Sequence, residues 1–191
     1  MERDEFARIL MSEERRKRQD PLKLMEAAGI RPGMTVADLG CGPGFFTLPL
    51  ASRVGSRGLV YAVDADPVML KHLRNNIEES KADLGRIKIL EADVSETGIP
   101  ARSVDAVLFA NVLHDIDDKK AFLGEVTRIC KARAMVIDVD WKKIKQEIGP
   151  PFGMRLAEAE TKKIMSEAGL EVTKALDAGP HHYGLVSVFA V

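Results

Sequence analysis

The chain is poor in cysteine. Of its 191 residues only two are cysteines, Cys41 and Cys130, and they form neither a CxxC pair nor a disulfide framework. No metal centre is expected. A basic excess is also missing: 28 Lys and Arg stand against 29 Asp and Glu, for a formal charge of −1, so the electrostatic footprint of a protein that grips a long nucleic acid is lacking. A small-molecule substrate and no nucleic-acid partner are expected. No apolar run approaches the ~20 residues of a membrane helix, and the N-terminus is charged where a secretory leader would be apolar. A cytoplasmic protein with no membrane partner is the expectation. This length suits one domain, residues 1–191, with residues 1–30 as a helical N-terminal arm.

What the chain does have is concentrated in residues 34–64. Met34-Thr35-Val36-Ala37-Asp38-Leu39 is a short apolar strand pattern, broken at once by Gly40-Cys41-Gly42-Pro43-Gly44. A helix pattern follows, and Leu59-Val60-Tyr61-Ala62-Val63 then forms a second strand with Asp64 at its tip. Strand, glycine loop and helix together make a nucleotide-cradling arrangement. Gly40 would permit the turn, Gly42 would let a ligand approach bare backbone, and Gly44 would let the next helix start close to the strand. Asp64 suits two ribose hydroxyls.

The loop chemistry argues against a dinucleotide. A diphosphate needs backbone donors at a helix N-terminus, yet Asp38 brings a negative charge and Pro43 removes a donor. The glycine spacing is G-x-G-x-G, one residue short of the dinucleotide pattern. A nicotinamide-dependent oxidoreductase is therefore disfavoured, and Asp38 is suited to an ammonium.

Four segments then follow one another at regular intervals: Asp38-Leu39-Gly40-Cys41-Gly42-Pro43-Gly44, Val63-Asp64-Ala65-Asp66-Pro67, Leu90-Glu91-Ala92-Asp93-Val94 and Asn111-Val112-Leu113-His114. In that order the chain resembles the class I S-adenosylmethionine-dependent methyltransferases, and more narrowly the small branch similar to ubiquinone/menaquinone-biosynthesis and arsenite methyltransferases. The resemblance runs from about Asp20 to the C-terminus and includes Gly149-Pro150-Pro151 and Gly179-Pro180-His181-His182-Tyr183-Gly184. It implies S-adenosyl-L-methionine as cofactor, with contacts at Asp38, Gly40, Cys41, Gly42, Gly44, Asp64, Ala65, Asp93, Val94 and Asn111. Asp93 would accept from the adenine amino group; the alternative is that it merely caps a turn. After Cys130 the family's usual lysine-proline-glycine-glycine turn is replaced by Lys131-Ala132-Arg133-Ala134.

Strand patterns alternate with helix patterns, which implies a Rossmann-like, doubly wound, mostly parallel sheet, seven-stranded by the resemblance. Pro21 opens a helix that Gly29 ends. The next helix is expected to begin near Gly44 and to carry Phe45, Phe46, Leu48 and Leu50, with Pro49 beyond its first turn. Asp66-Pro67 starts another, its buried face marked by Met69, Leu73 and Ile77. Residues 87–90, 104–109 and 134–139 are further strands, residues 118–130 and 156–168 are helices, and residues 170–176 and 183–191 form an antiparallel C-terminal hairpin. Residues 142–151 read as a mobile polar connection. Glu13-Glu14-Arg15-Arg16-Lys17-Arg18 is a charge run with two readings, a solvated helix face or part of a lid over the cofactor.

The expected activity is in-line methyl transfer to a carbon or oxygen nucleophile of a small molecule; the alternative is a non-catalytic cofactor-binding module. A general base is required only if the nucleophile arrives protonated. His114, His181, His182 and Tyr183 are the candidates, with His114 and Tyr183 singled out. Two cysteines do not supply the thiolates an arsenite methyltransferase needs, and Asn111-Val112-Leu113-His114 lacks the Asn/Asp-Pro-Pro-aromatic motif that accompanies methylation of exocyclic base amines.

Overall fold

The computed structural model describes residues 2–80 and 86–190; Met1 and Val191, the ends of the expected arm and hairpin, lie outside the described residues. Three short helices come first, α1 (Arg3–Leu10), α2 (Glu13–Arg18) and α3 (Pro21–Ala28). Asp20 caps α3 by accepting from the Leu22 and Lys23 amides, and Pro21 takes the first helical position. There follow β1 (Thr35–Leu39), α4 (Thr47–Val54), β2 (Leu59–Asp64), α5 (Pro67–Glu79), β3 (Arg86–Glu91), β4 (Val104–Ala110), α6 (Lys119–Ile129), β5 (Cys130–Trp141), α7 (Glu158–Glu167), β6 (Leu170–Asp177) and β7 (His182–Phe189).

The sheet order is β3-β2-β1-β4-β5-β7-β6. β1 pairs in parallel with both β2 and β4, and β7 runs antiparallel to β5 and β6. The strand order reverses between β1 and β4, the switch point at which doubly wound sheets open a ligand crevice. Alternation along the strands fills both faces. Leu39, Val63, Phe109, Val136 and Leu185 pack on one side with Phe122 and Met165 of α6 and α7. Val36, Val60, Leu108 and Ile137 pack on the other with Met25 of α3 and Leu50 of α4.

Three expectations are corrected. The helix expected from Gly44 starts at Thr47, so Pro49 sits in its first turn, where an amide has no intrahelical acceptor and proline costs nothing. Phe45 and Phe46 precede it in a tight turn and pack edge to face at 5.1 Å. Gly44 admits Leu73 of α5 as well as Leu48 of the following helix. The strand expected over residues 134–139 begins already at Cys130, directly from the end of α6, and a register shift between Val104 and Ala106 of β4 absorbs the added residues. The connection after β5 is not a loose linker. Arg155 is buried, and its guanidinium donates to the carbonyls of Pro150, Ile144 and Ile148 at 2.8 Å and of Lys142 at 3.4 Å. A planar five-donor fork gathers four backbone acceptors from one segment.

Among the described residues no helix is long and apolar enough to cross a membrane.

Candidate functional site

The carboxyl ends of β1, β4 and β5 open into a cavity of about 730 Å³, within the range of small-molecule sites. Its floor is the loop after β1. Gly40 adopts φ +70°, and a Cβ there would run into the Val112 side chain, so only glycine lets this turn meet the segment after β4. The loop spends all of its backbone donors internally. Gly40 and Cys41 donate to the Val63 carbonyl at 2.8 and 3.0 Å, Gly42 to Asp64 Oδ2 at 2.7 Å, and Gly44 to the Cys41 carbonyl at 3.1 Å. Pro43 has no N–H. Nothing is left in this turn for a phosphate.

Asp38 lines the cavity and is buried; its Oδ2 accepts from Thr47 Oγ1 at 2.6 Å. Burial pushes its carboxyl from an ordinary 3.8 up to about 7, with the Thr47 bond pulling down and the charge of Asp64 adding to the rise. Asp64 also lines it, and burial raises its pKa against the pull of the Asp66 and Gly42 amides. Cys41 is buried in the wall, its thiol pushed well up by burial and by Asp38 and Asp64, so it is no nucleophile.

Beyond β4, Asn111 takes φ +61° and donates to the Val139 carbonyl at 2.7 Å. A left-handed asparagine at a strand exit is the kind of strain that collects at functional sites. His114 follows in a single 3-10 turn, Leu113–Asp115. Its Nδ1 lies 2.7 Å from Asp140 Oδ1 and its amide donates to Asp140 Oδ2 at 3.2 Å. A carboxylate can only accept, so Nδ1 carries the hydrogen, while Nε2 on the other side of the ring lies 3.4 Å from Asp115 Oδ1. Burial lowers the His114 pKa, but the hydrogen bond and charge of Asp140, with Asp115, outweigh it and the net shift is upward.

The expected residues divide. Asp38, Gly40, Cys41, Gly42, Asp64, Asn111, His114, His181 and His182 line the cavity. Ala65, Asp93 and Val94 do not, and Gly44 packs on Leu73 behind the loop. Asp93 is exposed, and its Oδ1 accepts from the Ser95 amide at 2.7 Å, the turn-capping arrangement. Tyr183 is corrected from candidate base to core residue. Adjacent residues of β7 face opposite sides of the sheet, which sends His182 to the cavity and Tyr183 toward α7, where its hydroxyl meets Thr161 Oγ1 at 2.7 Å. His182 is not an exposed hairpin histidine. It is buried against Trp141, ring centroids 4.1 Å apart, and burial with the charge of Arg15 lowers its pKa to about 3.

In the charge run of α2, Glu13, Glu14 and Lys17 are exposed, but Arg15 turns inward. Arg15 lies over the Phe45 ring, 3.9 Å from its centroid, and lines the cavity together with Phe6, Ile9 and Leu10 of α1. Arg3 pairs with Asp66 at 3.3 Å, and Asp4 meets His72 Nε2 at 2.8 Å, so the start of the arm is fastened to the domain. At the other edge a Cβ on Gly179 would collide with the Arg18 carbonyl, which seats the hairpin turn against the arm. Sequence reasoning reached Arg15 only as part of a possible lid and missed Gln19, Asp140 and Trp141 as cavity or support residues. The only advance signal was position: Asp140 and Trp141 stand at a strand exit.

The residues present fit an adenosyl amino acid. Gln19 Nε2, Asn111 Oδ1 and His182 Nε2 are buried without hydrogen-bond partners, and all three residues line this one cavity. A buried carboxylate stands beside a turn closed to phosphate.

Comparison with known proteins agrees with this geometry. Residues 37–137 match a family model described as a methyltransferase domain. The ubiquinone/menaquinone biosynthesis C-methyltransferase UbiE of Shewanella piezotolerans is 27% identical over 154 residues, 81% of this chain and 59% of that protein. The chain thus spans about three fifths of the length of such curated relatives. A SAM dependent methyltransferase from Aquifex aeolicus superposes with a TM-score of 0.91 at 27% identity, covering 98% of both chains. A putative type 11 methyltransferase from Sulfolobus solfataricus superposes with a TM-score of 0.67 at 33% identity, over 82% of this chain and 84% of that one.

Proposed function

Because the chain belongs to the methyltransferase-domain family, we propose that it is an S-adenosyl-L-methionine-dependent methyltransferase that methylates a carbon or oxygen nucleophile of a small organic molecule, with His114 as general base. The observation that carries this reading is the loop after β1: its donors are all engaged within the protein, while the buried Asp38 carboxyl borders the cavity above it. That combination favours a cationic ligand without phosphate over a dinucleotide.

In this reading Asp38 holds the ammonium and Asp64 meets the ribose, using lone pairs that its two amide bonds leave free. Asp93 and Val94 remain the proposed adenine contacts, just past the end of β3. When bound, S-adenosyl-L-methionine supplies an electrophilic methyl group on a sulfonium. His114 Nε2 would take the proton of an O–H or acidic C–H nucleophile, and Asp140 would stabilise the imidazolium so formed. Phe6, Ile9 and Leu10 of α1 cover the cavity and keep water from the transfer. The relatives named as C-methyltransferases support carbon as the nucleophile.

Transfer of labelled methyl from S-adenosyl-L-methionine to a panel of phenols, quinols and enolisable carbonyl compounds tests the proposal. Labelled product that is lost in His114→Asn is the expected result. Absence of calorimetric binding of S-adenosylhomocysteine to the intact protein would refute it.

A further inference from the structure

The arm carries two cavity-lining side chains, each with one donor nitrogen that the fold itself does not use. Arg15 and Gln19 lie four residues apart, on α2 and at its C-terminal end, and so share one face. Arg15 Nε donates to Gln19 Oε1 at 3.3 Å and Nη1 to the Leu10 carbonyl at 3.1 Å, which leaves Nη2 without an acceptor among the described residues. Because the amide oxygen of Gln19 is turned to Arg15, its nitrogen is the atom left over. Gln19 is 1% exposed and Nε2 has no partner, an arrangement that costs about 1–3 kcal/mol when nothing answers the donor.

Arg15 is also a cation without a counter-ion. Burial lowers its pKa to about 10, with the nearby Asp38 charge as the main opposing influence, yet no ion pair joins the two. A half-buried cation and a buried carboxyl thus border the same cavity, each disfavoured by desolvation and neither neutralising the other. One carbon bearing both an ammonium and a carboxylate would answer both.

We infer that Arg15 Nη2 and Gln19 Nε2 receive the carboxylate of the cofactor's α-amino acid end, opposite in charge to the ammonium at Asp38, so that the N-terminal arm is a ligand-binding element. This rests on the methyltransferase reading and adds to it a zwitterion receptor split between the arm and the end of β1. The guanidinium stacked on Phe45 is already oriented, so little side-chain freedom is lost on binding.

Calorimetric titration with S-adenosylmethionine and with decarboxylated S-adenosylmethionine, which keeps the ammonium and sulfonium, tests the inference directly. The wild-type protein is expected to prefer the carboxylated ligand at least tenfold, and Arg15→Met to erase most of that preference while leaving affinity for the decarboxylated ligand nearly unchanged. Gln19→Leu, which keeps the size of the side chain, guards against a folding defect in Arg15→Met and should narrow the gap in the same direction. A preference that persists in both variants, or is absent from the wild type, overturns the clamp. Failure of the wild type to bind either ligand overturns the methyltransferase reading instead.

Discussion

His114 Nδ1 lies 2.7 Å from Asp140 Oδ1, although 26 residues separate them. The contact exists because β4 and β5 are neighbours, so the turn after β4 comes to rest on the exit of β5. Asp140 Oδ1 also accepts from the Trp141 amide at 2.7 Å, which holds the carboxylate in place while it orients the ring.

Turnover should therefore rise with pH, because the base acts when neutral, through an apparent pKa above the ordinary 6.5 of histidine. Asp140→Asn removes the two larger influences that raise that pKa and leaves Asp115 alone against burial. The rising limb should move to lower pH and kcat fall by about 10²-fold or more, the usual size of general-base contributions. A pH-rate profile checks both, and cofactor affinity should be unchanged.

Asp38 makes cofactor binding pH-dependent in a different way. Its carboxyl titrates near 7 in the free protein, so below that pH an ammonium must displace a proton. Affinity should rise up to about tenfold per pH unit between pH 5 and 7 and then level off. Titration in buffers of different ionisation enthalpy will register the released proton. The raised pKa also means that the ionised form weakens the fold: stability is fully present below 3.8 and declines as pH rises through 7. Asp38→Asn should then stabilise the free protein at pH 8 by up to roughly 4 kcal/mol, read as a higher Tm, while lowering cofactor affinity.

Tyr183→Phe separates core from catalyst. It removes the bond to Thr161 inside the α7 face of the sheet and should cost about 1–2 kcal/mol of stability. Turnover at a permissive temperature should stay normal.

Arg155→Lys should not rescue Arg155→Ala. A single ammonium cannot replace a planar fork that serves four carbonyls. Both variants should lose about 3 kcal/mol, and hydrogen exchange should rise in residues 142–155. Ile148, Gly149 and Pro150 of that segment border the cavity, so KM for the acceptor is the kinetic parameter expected to suffer.

Much of this molecule could be read from short stretches of chain. The strand into Gly40-Cys41-Gly42-Pro43-Gly44, the carboxylate at the tip of β2, the Asp66-Pro67 cap and the closing hairpin all depend on contacts between near neighbours or on a strict residue period. Pro49 misled because one turn of helix separates a harmless proline from a damaging one, and the start of α4 was displaced by the aromatic turn before it.

The rest was decided by strand order and register. Which of His182 and Tyr183 faces the ligand follows from the pairing of β7 with β5, since a shift of one residue would exchange them. That Arg15 covers Phe45 rather than meeting solvent, that Asp140 stands behind His114, and that Arg155 gathers the carbonyls of a loop are consequences of packing between segments distant in the chain or folded back on themselves. Sequence alone pointed to the cofactor class, because a loop unsuited to a dinucleotide is local chemistry and four short segments in one order carry the family resemblance. Only the tertiary structure decided which side chains surround it, because their charges and hydrogen bonds meet across the sheet.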